Sequence, residues 1–193
     1  QRFINRKDEI QQLICALILK EHVLWFGKPG RAKTLLPKIA FAGIKPAQTF
    51  TIQLTKYLSD DHLFGPVSIR TLRREDRIFH NTKNTLVDAH FALLDEFFDA
   101  NDATKRSVLE ILNERTFSRG GQRERSSLRT AVLTSNYKEE TEVTEAIMDR
   151  ILFKSDVPKL AHKPDRMKLY RRSLENSDEP VPTITMDQLN TIR

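Results

Sequence analysis

The fold of this 193-residue chain is decided by the stretch Val23–Thr34, which reads VLWFGKPGRAKT. Its first four residues, Val23–Phe26, form a short apolar run that is typical of a buried strand. Gly27 and Pro29 end that strand, and a helical pattern begins near Lys33. A glycine-containing turn between a strand and a helix is the setting in which backbone N–H groups and the helix dipole bind phosphate.

This turn closely follows the phosphate-binding pattern G-x-x-x-x-G-K-[ST]. Ala32 stands in the place of the second glycine, and the eight residues of the loop are Gly27, Lys28, Pro29, Gly30, Arg31, Ala32, Lys33 and Thr34. The two glycines allow the backbone to turn its N–H groups inward around phosphate oxygens. We expect Lys33 to reach the β- and γ-phosphates of a nucleotide and the Thr34 hydroxyl to coordinate Mg²⁺. The alternative is a glycine-proline turn that happens to precede Lys-Thr.

Strands alternate with helices along the rest of the chain, which predicts an α/β fold with a parallel sheet. Helical patterns span 5–20, 33–42, 103–114 and 143–149, and strand patterns span 23–26, 49–54, 87–94, 130–134 and 151–157. The first helix is expected to place Cys15 within its apolar pattern and to present one apolar face made of Ile10, Leu13, Ile14, Leu17 and Ile18. Two polar stretches interrupt the alternation. Ser68–Thr85 is rich in arginine, and Gly120-Gly121 predicts a hairpin within Thr116–Leu128.

Polar residues follow two of the predicted strands at the sheet edge where ligands of open α/β folds bind. We expect Asp95 to hold Mg²⁺ through water and Glu96 to orient or deprotonate the attacking water. Asn136 is placed to hydrogen-bond the γ-phosphate or that water, and its alternative role is to cap a turn. Arg150 closes a helix, a position at which most arginines complement the helix C-terminus or pair with a neighbour.

Composition narrows the class of protein. Charged residues make up 30% and apolar residues 39%, which excludes a disordered tail and a membrane protein. The longest apolar runs, such as Leu13–Leu19, are shorter than the ~20 residues that a membrane span needs, and no signal-peptide pattern is present. A single cysteine excludes an internal disulfide and a cysteine-based metal site, so we expect a cytoplasmic protein. The net charge of +6 leaves open either a basic nucleic-acid face or an ordinary solvated surface.

These motifs, in this order, resemble the AAA+ ATPases, and in detail they resemble the MoxR family near its RavA-like members. The resemblance covers about residues 1–160. Its specific marks are the Ala-Lys-Thr ending of the phosphate loop and the segment Leu63-Phe64-Gly65-Pro66-Val67-Ser68. The other similar stretches are Phe3-Ile4-Asn5-Arg6 with Glu9, Leu93-Leu94-Asp95-Glu96, Leu112-Asn113-Glu114-Arg115 with Phe117, and Asp149-Arg150.

The resemblance implies a role for each matched residue. Lys33 and Thr34 become the Walker A ligands of phosphate and Mg²⁺, and Asp95 and Glu96 become the Walker B pair. Asn136 becomes the sensor-1 residue and Arg150 becomes the arginine finger. Phe3 and Ile4 become neighbours of the adenine base. Asn5 stands where the family usually has glycine. Ser68–Thr85 becomes an insert in the second helix and Thr116–Leu128 a hairpin before sensor 1. Such hairpins line the central opening of the ring in related ATPases and can touch substrates.

We therefore expect an AAA+ core over residues 1–158 with hairpin inserts. The beginning of a helical lid is expected over 159–193, with helices over 166–174 and from 187 onward. No sensor-2 residue can be assigned, because that arginine belongs to a lid helix beyond this stretch. The resemblance also implies ATP hydrolysis with Mg²⁺ in a homo-hexameric ring that remodels or activates a protein, together with a von Willebrand A-domain partner.

Two other functions remain open at this level. A nucleic-acid motor or restriction-type NTPase of the same helix-2-insert group would use the arginines at 70, 73, 74, 77, 115, 119, 123, 125 and 129 as phosphate contacts. Glu75, Asp76, Glu114 and Glu124 lie among these arginines and weaken a polyanion-binding stripe. The second alternative is a nucleotide-dependent scaffold with little turnover, against which Asp95 and Glu96 both argue.

Overall fold

The computed structural model describes residues 5–138, 141–159 and 183–192. The strands are β1 (Val23–Phe26), β2 (Ile44–Lys45), β3 (Thr49–Gln53), β4 (Phe91–Asp95), β5 (Thr116–Arg119), β6 (Gln122–Arg125), β7 (Thr130–Ser135), β8 (Phe153–Asp156) and β9 (Ile184–Thr185). The helices are α1 (Lys7–Leu19), α2 (Leu35–Ala42), α3 (Asp61–Phe64), α4 (Ile69–Glu75), α5 (Asp102–Glu114), α6 (Glu142–Arg150) and α7 (Met186–Thr191). A 3-10 turn spans Phe97–Asp99. Among the described helices, none has the length and apolar character needed to cross a bilayer.

Five strands form one parallel sheet in the order β3-β4-β7-β1-β8, which confirms the predicted α/β class. The central strands β1 and β7 are buried along their whole length, whereas the edge strands β3 and β8 alternate between partly buried and exposed residues. Only a strand covered on both faces needs a continuous apolar run, so the apolar stretches in the sequence indicate the sheet centre.

Alternate residues of each central strand enter cores on opposite faces of the sheet, because side chains of a strand alternate in direction. In β1, Val23 and Trp25 join the core that α1, α2 and α7 cover, and Leu24 and Phe26 join the core under α5 and α6. On the side of the sheet that α1, α2 and α7 cover, β2 pairs in parallel with β9 and extends the core. Sequence analysis did not predict this pairing. A two-residue strand carries too little pattern to be recognised in a sequence.

Most of the predicted elements are confirmed, with changes at their ends. α2 begins at Leu35, two residues later than its pattern suggested, because the phosphate loop occupies the chain through Thr34. In α1, the prediction that Ile14 lies on the buried face is wrong, since that side chain is 50% exposed. Cys15 is exposed as well. The buried stripe of α1 is narrower than its apolar pattern, because the helix contacts the sheet mainly through Leu13, Ala16 and Leu17.

The two inserts differ in structure. Residues 116–125 form the predicted antiparallel hairpin β5–β6 around Gly120-Gly121. The arginine-rich insert contains α4 rather than a second hairpin, and a single antiparallel bridge between Val67 and His80 joins its ends. The expected lid helix over 166–174 lies outside the described residues. The helix expected from Asp187 onward is α7, which packs on the core through Leu189.

Candidate active site

The order of the strands brings the predicted site residues to one edge of the sheet. β7 lies between β1 and β4, and all three run in the same direction. The phosphate loop follows β1, Asp95 ends β4, and Asn136 follows β7. Residues that are far apart in the chain therefore meet at the carboxyl edge, where open α/β folds bind their ligands.

Three residues with positive φ shape the phosphate loop: Gly27 (φ 151°), Ala32 (φ 64°) and Gly30 (φ 77°). A Cβ at position 27 would come 2.9 Å from the carbonyl oxygen of Val157, so glycine is needed there for close approach as well as for φ. Ala32 replaces the second glycine of the general motif and still adopts the left-handed conformation, which costs a residue with a Cβ roughly 1–2 kcal/mol. Ala32 therefore holds a left-handed conformation that glycine would adopt without this cost.

Lys33 points into the site rather than into solvent, and only 7% of the residue is exposed. Its Nζ donates to the carbonyl oxygen of Gly27, to the carbonyl oxygen of Lys28 at 3.4 Å and to Asn136 Oδ1 at 3.0 Å. Burial lowers the pKa of Lys33, while the nearby carboxylates of Glu96 and Asp95 oppose that shift. The ammonium group is held among oxygen acceptors at the mouth of the loop, a placement that suits contact with phosphate oxygens.

Asp95 and Thr34, the two expected Mg²⁺ ligands, are in direct contact. Thr34 Oγ1 donates to Asp95 Oδ2 at 3.0 Å. The other carboxylate oxygen, Oδ1, accepts from the Thr134 hydroxyl and from the backbone N–H of Glu96 at 3.2 Å. A hydroxyl and a carboxylate oxygen side by side fit Mg²⁺, which prefers hard oxygen ligands and takes few of them from the protein.

Glu96 follows Asp95 in a left-handed conformation (φ 52°), which turns its side chain toward the site. Asn136 Nδ2 donates to Glu96 Oε1, while the other oxygen, Oε2, is buried with no hydrogen-bond partner among the described residues. Burial raises the pKa of Glu96, and the charges of Asp95 and Asp99 raise it further, against opposing effects of Lys33 and Asn136. A carboxylate whose pKa is raised by its surroundings is suited to act as a general base toward water.

Asn136 connects the two halves of the site. Its Oδ1 accepts from Lys33 and its Nδ2 donates to Glu96, so both ends of the amide are in use and its orientation is defined. These contacts join residues 103 and 40 positions apart in the chain. The side chain therefore faces the loop and the carboxylate, which is the placement that its expected site role requires.

Arg150 is not brought into this group. Arg150 is exposed at the end of α6, where its Nη1 donates to the carbonyl oxygen of Ala146 on the same helix at 3.0 Å. Phe3 and Ile4 lie outside the described residues. Asn5, at the position where the family usually has glycine, has φ 51° and so adopts the backbone conformation that glycine favours.

Sequence analysis missed the role of Thr134. Its side chain is fully buried, and its hydroxyl fixes Asp95 Oδ1, so that the opposite oxygen faces Thr34. A signal for this contact existed, since Thr134 lies near the carboxyl end of β7, the strand that Asn136 follows.

Sequence analysis named Arg31 as a loop residue and Arg6 in the family resemblance, but it did not predict the contacts that these two arginines make. Arg31 Nη1 donates to the carbonyl oxygen of Val157 at 2.6 Å, and the buried Arg6 donates to the carbonyl oxygens of Arg31 at 3.2 Å and Pro158 at 2.9 Å. These bonds tie the loop to the chain that follows β8. No local pattern predicts them, because the acceptors are backbone carbonyls 25, 126 and 152 residues away in the sequence.

The fold and the loop together define a P-loop NTPase of the AAA+ class. Over residues 1–192 the chain matches the family described as the MoxR domain in the MoxR-vWA-beta-propeller ternary systems. The chain belongs to the MoxR family, as the sequence resemblance predicted.

Comparisons with individual proteins agree with this assignment. The uncharacterised protein MJ0079 of Methanocaldococcus jannaschii is 32% identical over 191 residues, which are 99% of this chain and 50% of that protein. The chaperone MoxR1 of Mycobacterium tuberculosis is 31% identical over 176 residues, which are 89% of this chain and 45% of that protein. The chain therefore spans about half the length of these relatives.

Solved structures confirm the fold. A candidate ATPase from Cytophaga hutchinsonii superposes with a TM-score of 0.73 at 22% identity, covering 98% of this chain and 57% of that one. The BchI–BchD complex of magnesium chelatase gives a TM-score of 0.66 at 15% identity, covering 93% of this chain and 67% of that one. At these identities the likeness concerns the arrangement of strands and helices.

Proposed function

We propose that this chain is the ATPase module of a ring-forming machine that remodels or activates a protein partner. The observation that carries the proposal is the Lys33–Asn136–Glu96 chain of hydrogen bonds beside the Thr34–Asp95 pair. In support of the proposal, a cation, a hydroxyl–carboxylate pair suited to Mg²⁺ and a carboxylate of raised pKa lie around the mouth of one phosphate loop. These are the components that phosphoryl transfer to water requires.

Each residue has a separate task in this mechanism. Lys33 and the loop N–H groups bind the β- and γ-phosphates, and Lys33 neutralises charge that develops on the transferred group. Thr34 and Asp95 would hold Mg²⁺, which supplies charge neutralisation between the phosphates when it is bound. Glu96 orients the attacking water and accepts its proton, while Asn136 keeps that carboxylate directed at the site.

The ring, the arginine finger and the partner belong to the same proposal. Arg150 is exposed and contacts its own helix, so it is available to a neighbouring copy. The family description names von Willebrand A and β-propeller proteins in the same systems, and one relative is named a chaperone. Both support a protein, rather than a small molecule, as the target that this ATPase acts on. We propose a von Willebrand A-domain protein as the partner and a homo-hexamer as the assembly. The division into a core over 1–158 and a lid that begins at 159 is part of this proposal.

Nucleotide binding by Lys33→Ala tests the proposal. The substitution removes a charge-assisted contact of a class that contributes roughly 1.5–3 kcal/mol, so ATP affinity is expected to fall about tenfold or more. Lys38→Ala is the matched control, because Lys38 is an exposed lysine on α2 outside the loop. Titration of a fluorescent ATP analogue into each folded variant measures the effect. Equal affinity in parent, control and Lys33→Ala would refute the assignment of the loop.

A further inference from the structure

Arg6, just before α1, is a buried arginine whose guanidinium binds backbone carbonyls on three separate parts of the chain. Nε donates to Arg31 O at 3.2 Å, Nη1 to Asn5 O at 2.9 Å and Nη2 to Pro158 O at 2.9 Å. The carboxylate of Glu9 lies 4.0 Å from Nη1, which is a charge contact rather than a hydrogen bond. The fork of this one side chain therefore joins the start of the chain, the phosphate loop and the segment after β8.

Arg31, in the middle of the loop, is held at two points. Its carbonyl accepts from Arg6, and its Nη1 donates to Val157 O at 2.6 Å. Val157 is itself fixed, because it is buried and its N–H donates to Phe26 O at 2.7 Å, which continues the pairing of β8 with β1. A Cβ at Gly27 would come 3.1 Å from Arg31 Cδ, so the arginine side chain packs closely on the start of the loop. We call these contacts of Arg6 and Arg31 the arginine clamp.

The direction of the Arg31 carbonyl sets the direction of the next N–H group. A trans peptide unit is planar, and its C=O and N–H point in opposite directions. Since the Arg31 carbonyl points at Arg6, the N–H of Ala32 points away from it. That N–H has no hydrogen-bond acceptor within the part of the chain that the structure describes. It is one of the loop N–H groups that a bound phosphate would use, and it directly precedes Lys33.

Stability alone does not account for the arginine clamp. Burial lowers the pKa of Arg6, and the nearby charge of Arg31 lowers it as well, while Glu9 opposes both effects. Removing a guanidinium from water costs free energy, and a buried charge is often no more stabilising than an apolar group of similar size. Two arginines that repel each other at the base of the loop are therefore better explained by the geometry that they impose.

We propose that the arginine clamp positions the phosphate loop for nucleotide, with Arg6 fixing the Arg31 carbonyl so that the Ala32 N–H faces the phosphates. Neither arginine needs to touch the nucleotide, because each acts through the backbone of the loop. A loop that already has its binding shape loses less conformational freedom when the ligand arrives, so the clamp raises affinity. The inference rests on the proposed binding of ATP at this loop and adds the residues that hold the loop in shape.

The experiment uses two ligands on the full chain. A fluorescent ATP analogue is titrated directly, and inorganic triphosphate is measured by its competition with that analogue. Triphosphate has no base or sugar, so it reports on the phosphate loop alone. This separates the clamp from a second possibility, in which Arg6 acts on the base through its contact with Asn5, next to the expected base neighbours Phe3 and Ile4.

Arg6→Lys keeps the positive charge but loses the planar fork that reaches three carbonyls at once. It is expected to weaken the ATP analogue and triphosphate by the same factor, roughly tenfold or more. Arg31→Ala removes only the bond to Val157 and is expected to weaken both ligands about two- to tenfold. Arg31 is partly exposed, so if Arg6→Lys does not fold, Arg31→Ala alone decides whether the clamp positions the loop.

Arg115→Lys is the matched control. Arg115 is also a partly buried arginine that donates to three backbone carbonyls, but these belong to Lys20, Leu128 and Arg129, away from the loop. We expect this variant to unfold at a lower temperature and to bind both ligands like the parent chain. All affinities are measured at a temperature at which circular dichroism shows each variant to be folded.

Three outcomes would overturn the inference. Parent-level binding of both ligands in a folded clamp variant would show that its arginine does not position the loop. An equal loss of affinity in Arg115→Lys would reduce the effect to general destabilisation. Weaker binding of the ATP analogue with unchanged competition by triphosphate would place the effect of Arg6 at the base. A parent chain that binds neither ligand refutes the proposed function, whereas a parent that binds both, with variants like it, concerns the clamp alone.

Discussion

Replacement of Thr134 by valine is expected to raise the Mg²⁺ concentration that the chain needs to bind ATP, with little change in binding without the metal. Valine keeps the shape of threonine and removes only the hydroxyl that donates to Asp95 Oδ1. The site is fully buried, so water cannot replace the lost donor. Asp95 Oδ1 is left with the longer bond from Glu96 N at 3.2 Å, and the carboxylate is freer to turn away from Thr34.

The size of the effect follows from the bond that is removed. A hydrogen bond to a charged group contributes about 1.5–3 kcal/mol, and 1.4 kcal/mol corresponds to a factor of ten in affinity. Loss of a residue that orients a metal ligand usually weakens metal binding about 10- to 100-fold, in agreement with that range. We therefore expect the half-saturating Mg²⁺ concentration to rise on the order of 10- to 100-fold.

The assay titrates Mg²⁺ into the chain with a fluorescent ATP analogue and repeats the binding measurement in a chelator. Thr134→Ser keeps the hydroxyl and is expected to behave like the parent. Thr130→Val is the matched control, because Thr130 is equally buried on the same strand but donates to the carbonyl oxygen of Ala16 instead. The reasoning is refuted if folded Thr134→Val keeps the parent Mg²⁺ dependence. It is refuted equally if Thr134→Ser shows the rise expected of the valine variant.

Three further predictions concern catalysis. Glu96→Gln is expected to bind ATP but not to turn it over, because the amide keeps the size of the side chain and removes the proton acceptor; hydrolysis at the parent rate would contradict this. Arg150→Ala is expected to bind ATP normally and lose about 10³-fold or more in hydrolysis, and mixing it with Lys33→Ala should restore part of the activity if Arg150 serves the neighbouring subunit. If the mixture assembles but recovers no hydrolysis, Arg150 does not serve the neighbouring subunit and is an ordinary helix-end residue. Asp99→Asn is expected to move the acid limb of kcat to lower pH, measured as a pH–rate profile, because Asp99 is one of the charges that raise the pKa of Glu96. Glu96 is in its base form above its pKa and loses that form as the pH falls, so a lower pKa extends activity to lower pH. An acid limb that stays in place or moves to higher pH would show that the charge of Asp99 does not raise the pKa of Glu96.

Local patterns in the sequence were sufficient for the core of the fold and for most of the candidate site. The apolar run Val23–Phe26 followed by the loop predicted a buried strand and a phosphate site, because a strand covered on both faces has to be apolar throughout. Asp95 and Asn136 were recognisable since each comes directly after such a strand. The rule that parallel strands end at one edge then predicted that these residues lie near one another.

The contacts within the site depended on tertiary structure. The order of strands in a sheet is not a local property of the chain, and it is the position of β7 between β1 and β4 that lets Asn136 contact both Lys33 and Glu96. The clamp of Arg6 and Arg31 on carbonyls after β8 has no sequence pattern, because a backbone carbonyl looks the same at every residue.

Sequence alone determined which residues are able to perform the chemistry, since charge, hydroxyl groups and strand-loop-helix patterns are local properties of the chain. Tertiary structure decided which of them meet and which surfaces stay uncovered. Ile14 shares the apolar helical spacing of Leu13 and Leu17, yet it is exposed. Burial depends on which element lies opposite a side chain, and that is fixed by long-range packing rather than by the residue and its neighbours in sequence.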